Sequence, residues 1–267
     1  MFIALQPPDS LILIYTALGG ASLAVDTRIP LPIPPRNDSR AARGIGAPGR
    51  LVSEVGAVGM PSFESLAPSL APEHWALHGG APPARCARKR CVGANPMAQR
   101  NYPCDSILDA YFGGGGGGTA FFGGQTREAF ANVTGRRPFS RQLYLCAVGS
   151  ALWMKAAVEL HRARNEMGIL SWQLNDQWPT GGWGSLEYGT AGVAGQVVGG
   201  RWKPLHYLYR RSLYADVIAS CGAGGECYVR NDGAAPFGGR VTVEAVELTT
   251  GASTVLTSLD LAGGDAL

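Results

Sequence analysis

Ile169-Leu-Ser-Trp172-Gln-Leu-Asn175-Asp176-Gln-Trp178-Pro179 opens a stretch that runs on as Gly181-Gly-Trp183-Gly-Ser-Leu-Glu187-Tyr188-Gly189 and closes with Gly200-Arg-Trp202-Lys203-Pro204-Leu-His206-Tyr207. The short apolar run from Ile169 to Trp172 stops abruptly at polar residues, and an aromatic, Gly-rich loop follows. Pro204 then starts a helical pattern at a first-turn position, where its missing N–H costs nothing. The stretch reads as a βα unit with a long loop after the C-terminal end of the strand. In a (β/α)8 barrel such loops build the active site. Indole and phenol rings beside Asn, Asp, Gln and Glu suit a sugar. Ring faces cover the C–H patches of a pyranose, while amides and carboxylates bond its hydroxyls. Any one of the three Trp between 172 and 183 is explained as well by loop packing. The loop as a whole predicts a carbohydrate site.

A second chemical stretch lies upstream, Arg50-Leu-Val-Ser53-Glu54-Val-Gly56-Ala-Val-Gly-Met60-Pro61-Ser62. A short strand delivers one carboxylate at its end and passes into a Gly-containing loop. Alone, this reads more readily as a surface Glu in a turn.

Together these motifs resemble the β-mannosidases of glycoside hydrolase family 2. Trp172-Gln-Leu-Asn-Asp-x-Trp-Pro, Trp183-x-Ser-Leu-Glu-Tyr-Gly and Trp202-Lys-Pro-Leu-His-Tyr are similar to that family's last barrel strand, loop and helix. Ser53-Glu54-x-Gly56 is similar to its nucleophile segment on the seventh strand. Val55 departs from the family, which has an aromatic residue there. The resemblance implies an α/β fold, the C-terminal portion of a (β/α)8 TIM barrel followed by the beginning of an immunoglobulin-like β-sandwich. It implies a retaining glycoside hydrolase that removes terminal β-D-mannose from β-mannosides and N-glycan-derived oligosaccharides. Glu54 would be the nucleophile. Trp172 would floor the sugar pocket, and Asn175 and Asp176 would bond hydroxyls or fix the loop, with turn-capping an equal reading for both. Trp183, Glu187 and Trp202 are expected to be mainly structural. No cofactor and no metal is called for.

A complete barrel needs about eight βα units in roughly 250 residues, and only two are visible. Retaining chemistry needs two carboxyl groups about 5 to 5.5 Å apart, and the sequence offers one strong candidate. The expectation is therefore a fragment of a longer enzyme, inactive alone. The alternatives are a noncatalytic carbohydrate-binding fragment, and an endo-β-mannosidase or other family 2 specificity. Asn165-Glu166 imitates the acid/base pair of the family but falls between a helix and the next strand, the wrong end of a barrel for chemistry.

The chain divides into residues 1–49, read as disordered or unrelated; 50–215, the barrel portion; and 216–267, the start of the sandwich. Leu11 to Leu18 is apolar but too short to span a bilayer. It lacks the basic start of a signal peptide. Gly113 to Gly118 is a low-complexity insert. Ser140 to Met167 carries apolar residues at helical spacing, with Ser140 as N-cap and Gly168 as stop. From Asp216 the pattern alternates, which predicts antiparallel strands.

In 267 residues the net charge is only +3, too slight to argue for a nucleic acid or an anionic membrane. Gly (38) and Pro (18) make about a fifth of the chain, which suggests long loops. Six cysteines allow too many pairings for the sequence to choose. Cys86 with Cys91, and Cys221 with Cys227, are close enough to bridge, and Cys146 reads as a buried thiol in a helix. His74, His78, His161 and His206 are not spaced for structural zinc. The sequons at Asn37 and Asn132, with the short disulfides, lean toward a lysosomal, vacuolar or secreted protein.

Overall fold

The computed structural model describes residues 2–6, 10–17, 51–77, 97, 104–112, 133–163, 168–191, 197–221, 227–247 and 250–261. In chain order the elements are β1 (Phe2–Gln6), β2 (Ser10–Ala17), β3 (Leu51–Val55), α1 (Phe63–Leu66), α2 (Cys104–Phe112), α3 (Arg136–Ala163), β4 (Gly168–Ser171), β5 (Gly189–Ala191), β6 (Val197–Gly199), α4 (Pro204–Leu208), β7 (Val217–Cys221), β8 (Cys227–Asn231), β9 (Gly239–Glu247) and β10 (Ser253–Leu261). Contacts divide the chain into two units. One comprises residues 50–158 and 167–208, the other residues 1–49, 159–166 and 209–267.

In the first unit β3 and β4 pair in parallel, with Leu51 opposite Gly168, Val52 opposite Ile169 and Val55 opposite Ser171. A parallel pair needs a long crossover, and α1, α2 and α3 fall within it. The apolar face of α3 recurs every three to four residues, through Phe139, Leu143, Cys146 and Met154, all buried. Its N-terminal half joins Met60, Phe63, Leu66, Leu77 and Leu108 in one core cluster. Phe63 meets Trp75 edge-on at 4.9 Å and Phe139 at 6.1 Å between ring centroids. Gln142 is fully buried in this core, where its side-chain oxygen accepts from the Leu77 N–H at 3.1 Å. Among the described residues α3 is the one helix long and apolar enough to cross a membrane. Its apolar window is 72% buried, which is the signature of a core helix.

Helix α3 begins at Arg136, four residues before the expected Ser140 cap. Gly135 takes φ +113°, a conformation open to glycine, and its carbonyl accepts the first helical bond from Phe139 N–H at 3.0 Å. Pro138 sits in the first turn, where no N–H is needed. The proline was the better start signal. Cys146 is not a free thiol. It is bonded to Cys104, with Cα atoms 5.6 Å apart and a sequence separation of 42. That covalent tie closes a loop containing the glycine run, so an insertion there leaves the two core helices joined.

In the second unit β1, β2, β9 and β10 form one sheet in that order. β2 runs parallel to β9, and β10 antiparallel to it. Two strands of this sheet, β1 and β2, fall within residues 1–49. Leu11-Ile-Leu-Ile-Tyr15 is an apolar, β-branched run of strand length, which suits a sheet as well as a leader segment. β7 and β8 make an antiparallel hairpin with Cys221 opposite Cys227, and Cys227 is disulfide-bonded. The alternation read after Asp216 thus appears as antiparallel strands. The helix expected from Pro204 to Tyr214 is α4 followed by a π-helical turn, Tyr209–Leu213. Cys86, Cys91, Asn37, Asn132, Asn165-Glu166 and Gly113 to Gly118 lie outside the described residues.

Candidate functional site

The two strands of the parallel pair end together. From Val52 to Val55 β3 advances three residues, while β4 advances two from Ile169 to Ser171. One extra residue is thus inserted at Ser53–Glu54, a β-bulge. A bulge leaves a residue out of the ladder and re-aims its side chain. Glu54 is exposed at that bulge. On the neighbouring strand the Trp172 N–H donates to the Val55 carbonyl at 2.8 Å, and the Trp172 side chain is 47% exposed. Glu54 and Trp172 therefore share the C-terminal end of adjacent parallel strands. The Trp172–Gln173 peptide bond is cis.

Gly56 makes this closeness possible. A Cβ at position 56 would overlap the Trp172 carbonyl oxygen and touch the Trp183 ring. The next turn, at Gly59, exchanges two backbone hydrogen bonds with Gly182, at 2.9 and 3.0 Å. Helix α3 holds the same turn from behind, with the buried Ser150 hydroxyl donating to the Val58 carbonyl.

Beneath the loop lies a buried set of charges. Asp176 and Lys203 pair at 2.6 Å, with side chains only 1% and 4% exposed. The second Asp176 oxygen accepts from the Gly184 N–H at 3.1 Å, and Lys203 also reaches the Gly59 carbonyl at 3.4 Å. Burial pushes the Asp176 carboxyl up and the Lys203 ammonium down, and each opposes the shift in the other. Glu187, also buried, accepts from the Ser62 N–H at 2.9 Å, the Ser62 hydroxyl at 2.7 Å and the Ser65 hydroxyl at 2.5 Å. It thus anchors Ser62, the N-cap of α1, whose own side chain makes no capping bond. Gly182 and Gly184 pack so tightly on Asp176 and Asn175 that a Cβ at either would collide.

Of the two roles expected for Asp176, holding the loop is the one its contacts serve. Asn175 is exposed and donates from its side-chain amide to the neighbouring Asp176 carbonyl at 3.1 Å. Among the described residues no three His, Cys, Asp or Glu cluster so as to hold a metal ion.

No family model matches the chain. Over 84 residues it is 43% identical to the beta-mannosidase of Capra hircus, a match covering 28% of this chain and 8% of that protein. This is a β-mannosidase-like sequence. Beta-mannosidase A of Aspergillus terreus is 26% identical over 186 residues, 64% of this chain and 17% of the relative. A solved beta-D-mannosidase from Dictyoglomus thermophilum aligns with TM-score 0.45 and 18% identity, over 81% of this chain and 24% of that one. The chain thus spans under a fifth of the length of these curated relatives.

In this β-mannosidase-like chain the sequence alone did not disclose Lys203, Gly56 or the bulge. Lys203 stands beside a helix-starting proline and reads as an ordinary surface lysine. Its partner lies 27 positions away. The one available signal was the Gly spacing around Trp183, since glycines at 182 and 184 announce close backbone approach.

Proposed function

We propose that this chain carries the nucleophile strand and the sugar platform of a retaining β-mannosidase. The observation that carries the reading is the exposed Glu54, at a bulge, beside the exposed Trp172 at the end of the paired strand. In this reading the two strands are neighbours in a TIM barrel, and the antiparallel strands after them open a β-sandwich domain. A terminal mannose stacks its C–H face on Trp172, and Asn175 stands at the rim to bond a hydroxyl. A Glu54 oxygen attacks the anomeric carbon as the bond to the leaving oxygen breaks, giving a covalent glycosyl-enzyme that water then hydrolyses.

The proton for the leaving oxygen must come from a second carboxyl. Asp176 and Glu187, the nearby carboxylates, are buried and fully engaged. Neither is free to act, so the acid/base is assigned to no described residue. The same fact favours a second reading, sugar binding without turnover. The Cys104–Cys146 bond and the bonded Cys227 support a lysosomal, vacuolar or secreted setting.

A 2-deoxy-2-fluoro-β-mannoside with a dinitrophenolate leaving group separates the two readings, because that group departs without protonation. The nucleophile reading expects one burst of dinitrophenolate and a mass adduct on the peptide containing Glu54, both lost in Glu54→Gln. Saturable binding with no adduct would leave only the binding reading. With nitrophenyl β-mannoside the 267-residue chain is expected to show no sustained release.

A further inference from the structure

The four Trp of the loop region fall into two classes. Trp183 is half-buried against the Gly56 backbone. Trp202 is half-buried too, with its ring 4.5 Å from His206 and 5.1 Å from Tyr207. Trp172 and Trp178 instead stand 47% and 57% exposed, and neither indole has a hydrogen bond or ring contact with the described residues. Exposure of an indole usually means a loose loop, yet this loop is not loose. Two residues before Trp178 is the buried Asp176–Lys203 pair. Two residues after it, the Thr180 N–H bonds the Trp178 carbonyl at 2.8 Å. Four residues after it, Gly182 is doubly bonded to Gly59. Asp176 N–H is itself fixed to the Leu186 carbonyl at 2.8 Å. A stiff loop thus displays a large apolar face to solvent, with an Nε1–H donor on its edge that no described residue accepts from. That costs hydrophobic free energy unless something covers it.

We propose that Trp178 is a second stacking platform, taking the next pyranose ring of a β-linked oligosaccharide whose terminal mannose rests on Trp172. This rests on the mannoside reading above and extends it to specificity. The chain would distinguish an oligosaccharide from a simple mannoside through an indole that the terminal sugar does not reach. The C–H face of the second ring covers the indole, and Nε1–H donates to one of its hydroxyls.

Calorimetric titration of the full chain with β-1,4-mannobiose and with methyl β-mannoside tests this. Wild type is expected to bind mannobiose more tightly. Trp178→Ala should weaken mannobiose by about tenfold, or roughly 1.4 kcal/mol, and leave methyl β-mannoside unchanged. Trp178→Phe should fall between, because the smaller ring still stacks but cannot donate. Mannobiose affinity unchanged in Trp178→Ala, or both ligands weakened equally, would overturn the inference. A wild type that binds neither sugar would sink the mannoside reading itself and this inference with it. Loss of mannobiose binding alone touches only the Trp178 role.

Discussion

Two ion pairs of similar chemistry sit in contrasting places. Lys203 and Asp176 meet under the Trp172 loop with side chains 4% and 1% exposed. Arg240 and Asp260 meet across the β9–β10 hairpin with side chains 60% and 74% exposed. The hairpin pair lies in high dielectric, where holding two long side chains together offsets most of the attraction. The loop pair has left water altogether. It is not there for net stability, since replacing such a pair with apolar groups is often neutral or better. Its effect is positional. It ties the first turn after Trp172 to the start of α4 and to the Gly59 turn that follows Glu54. β10 shows the opposite design, exposed from Ser253 through Asp260, so little there depends on any one contact.

The largest effect that could break this contrast is at Lys203. Lys203→Met should destabilise the first unit by about 3–5 kcal/mol, because it strands the buried Asp176 carboxylate. The double variant Asp176→Asn with Lys203→Met should recover part of that loss, and urea melts of both would show it. A single variant no worse than the double would mean the carboxylate was never uncompensated. Next is the Cys104–Cys146 bond, which asks how much of the unit's order is covalent. Cys104→Ala with Cys146→Ala is expected to lower stability by roughly 2–4 kcal/mol, the loop-closure contribution, with sugar binding retained at low temperature. Gly182→Ala should cost about 1–3 kcal/mol through its collision with Asp176, and it should weaken sugar binding more than its stability loss explains. The smallest effect belongs to the exposed pair. Arg240→Ala should change stability by less than about 0.5 kcal/mol.

The same contrast explains what was legible in the sequence. Local rules carried the βα unit at Ile169, the Pro204 start and the antiparallel strands after Asp216, since each depends on spacing or on a turn residue. They also placed Glu54 and Trp172 at strand ends. What they missed was set by partners distant in sequence. Asp176 reads locally as either a sugar contact or a turn-capping residue, because nothing nearby in sequence shows that Lys203 folds under it. Cys146 reads locally as a buried thiol because helical spacing predicts burial and says nothing of Cys104. Serine at 140 is a good local cap, yet Gly135 with Pro138 does that work five residues earlier. The bulge at Ser53–Glu54 arises from a register between two strands more than a hundred residues apart, which no local pattern records.

The claim on which the rest depends is that the common end of β3 and β4 receives a mannoside. Titrating the 267-residue chain with methyl β-mannoside by calorimetry tests it most directly. The account predicts saturable binding that Trp172→Ala abolishes and Glu54→Gln preserves. Binding that survives Trp172→Ala, or no saturable heat in the wild type, would contradict it.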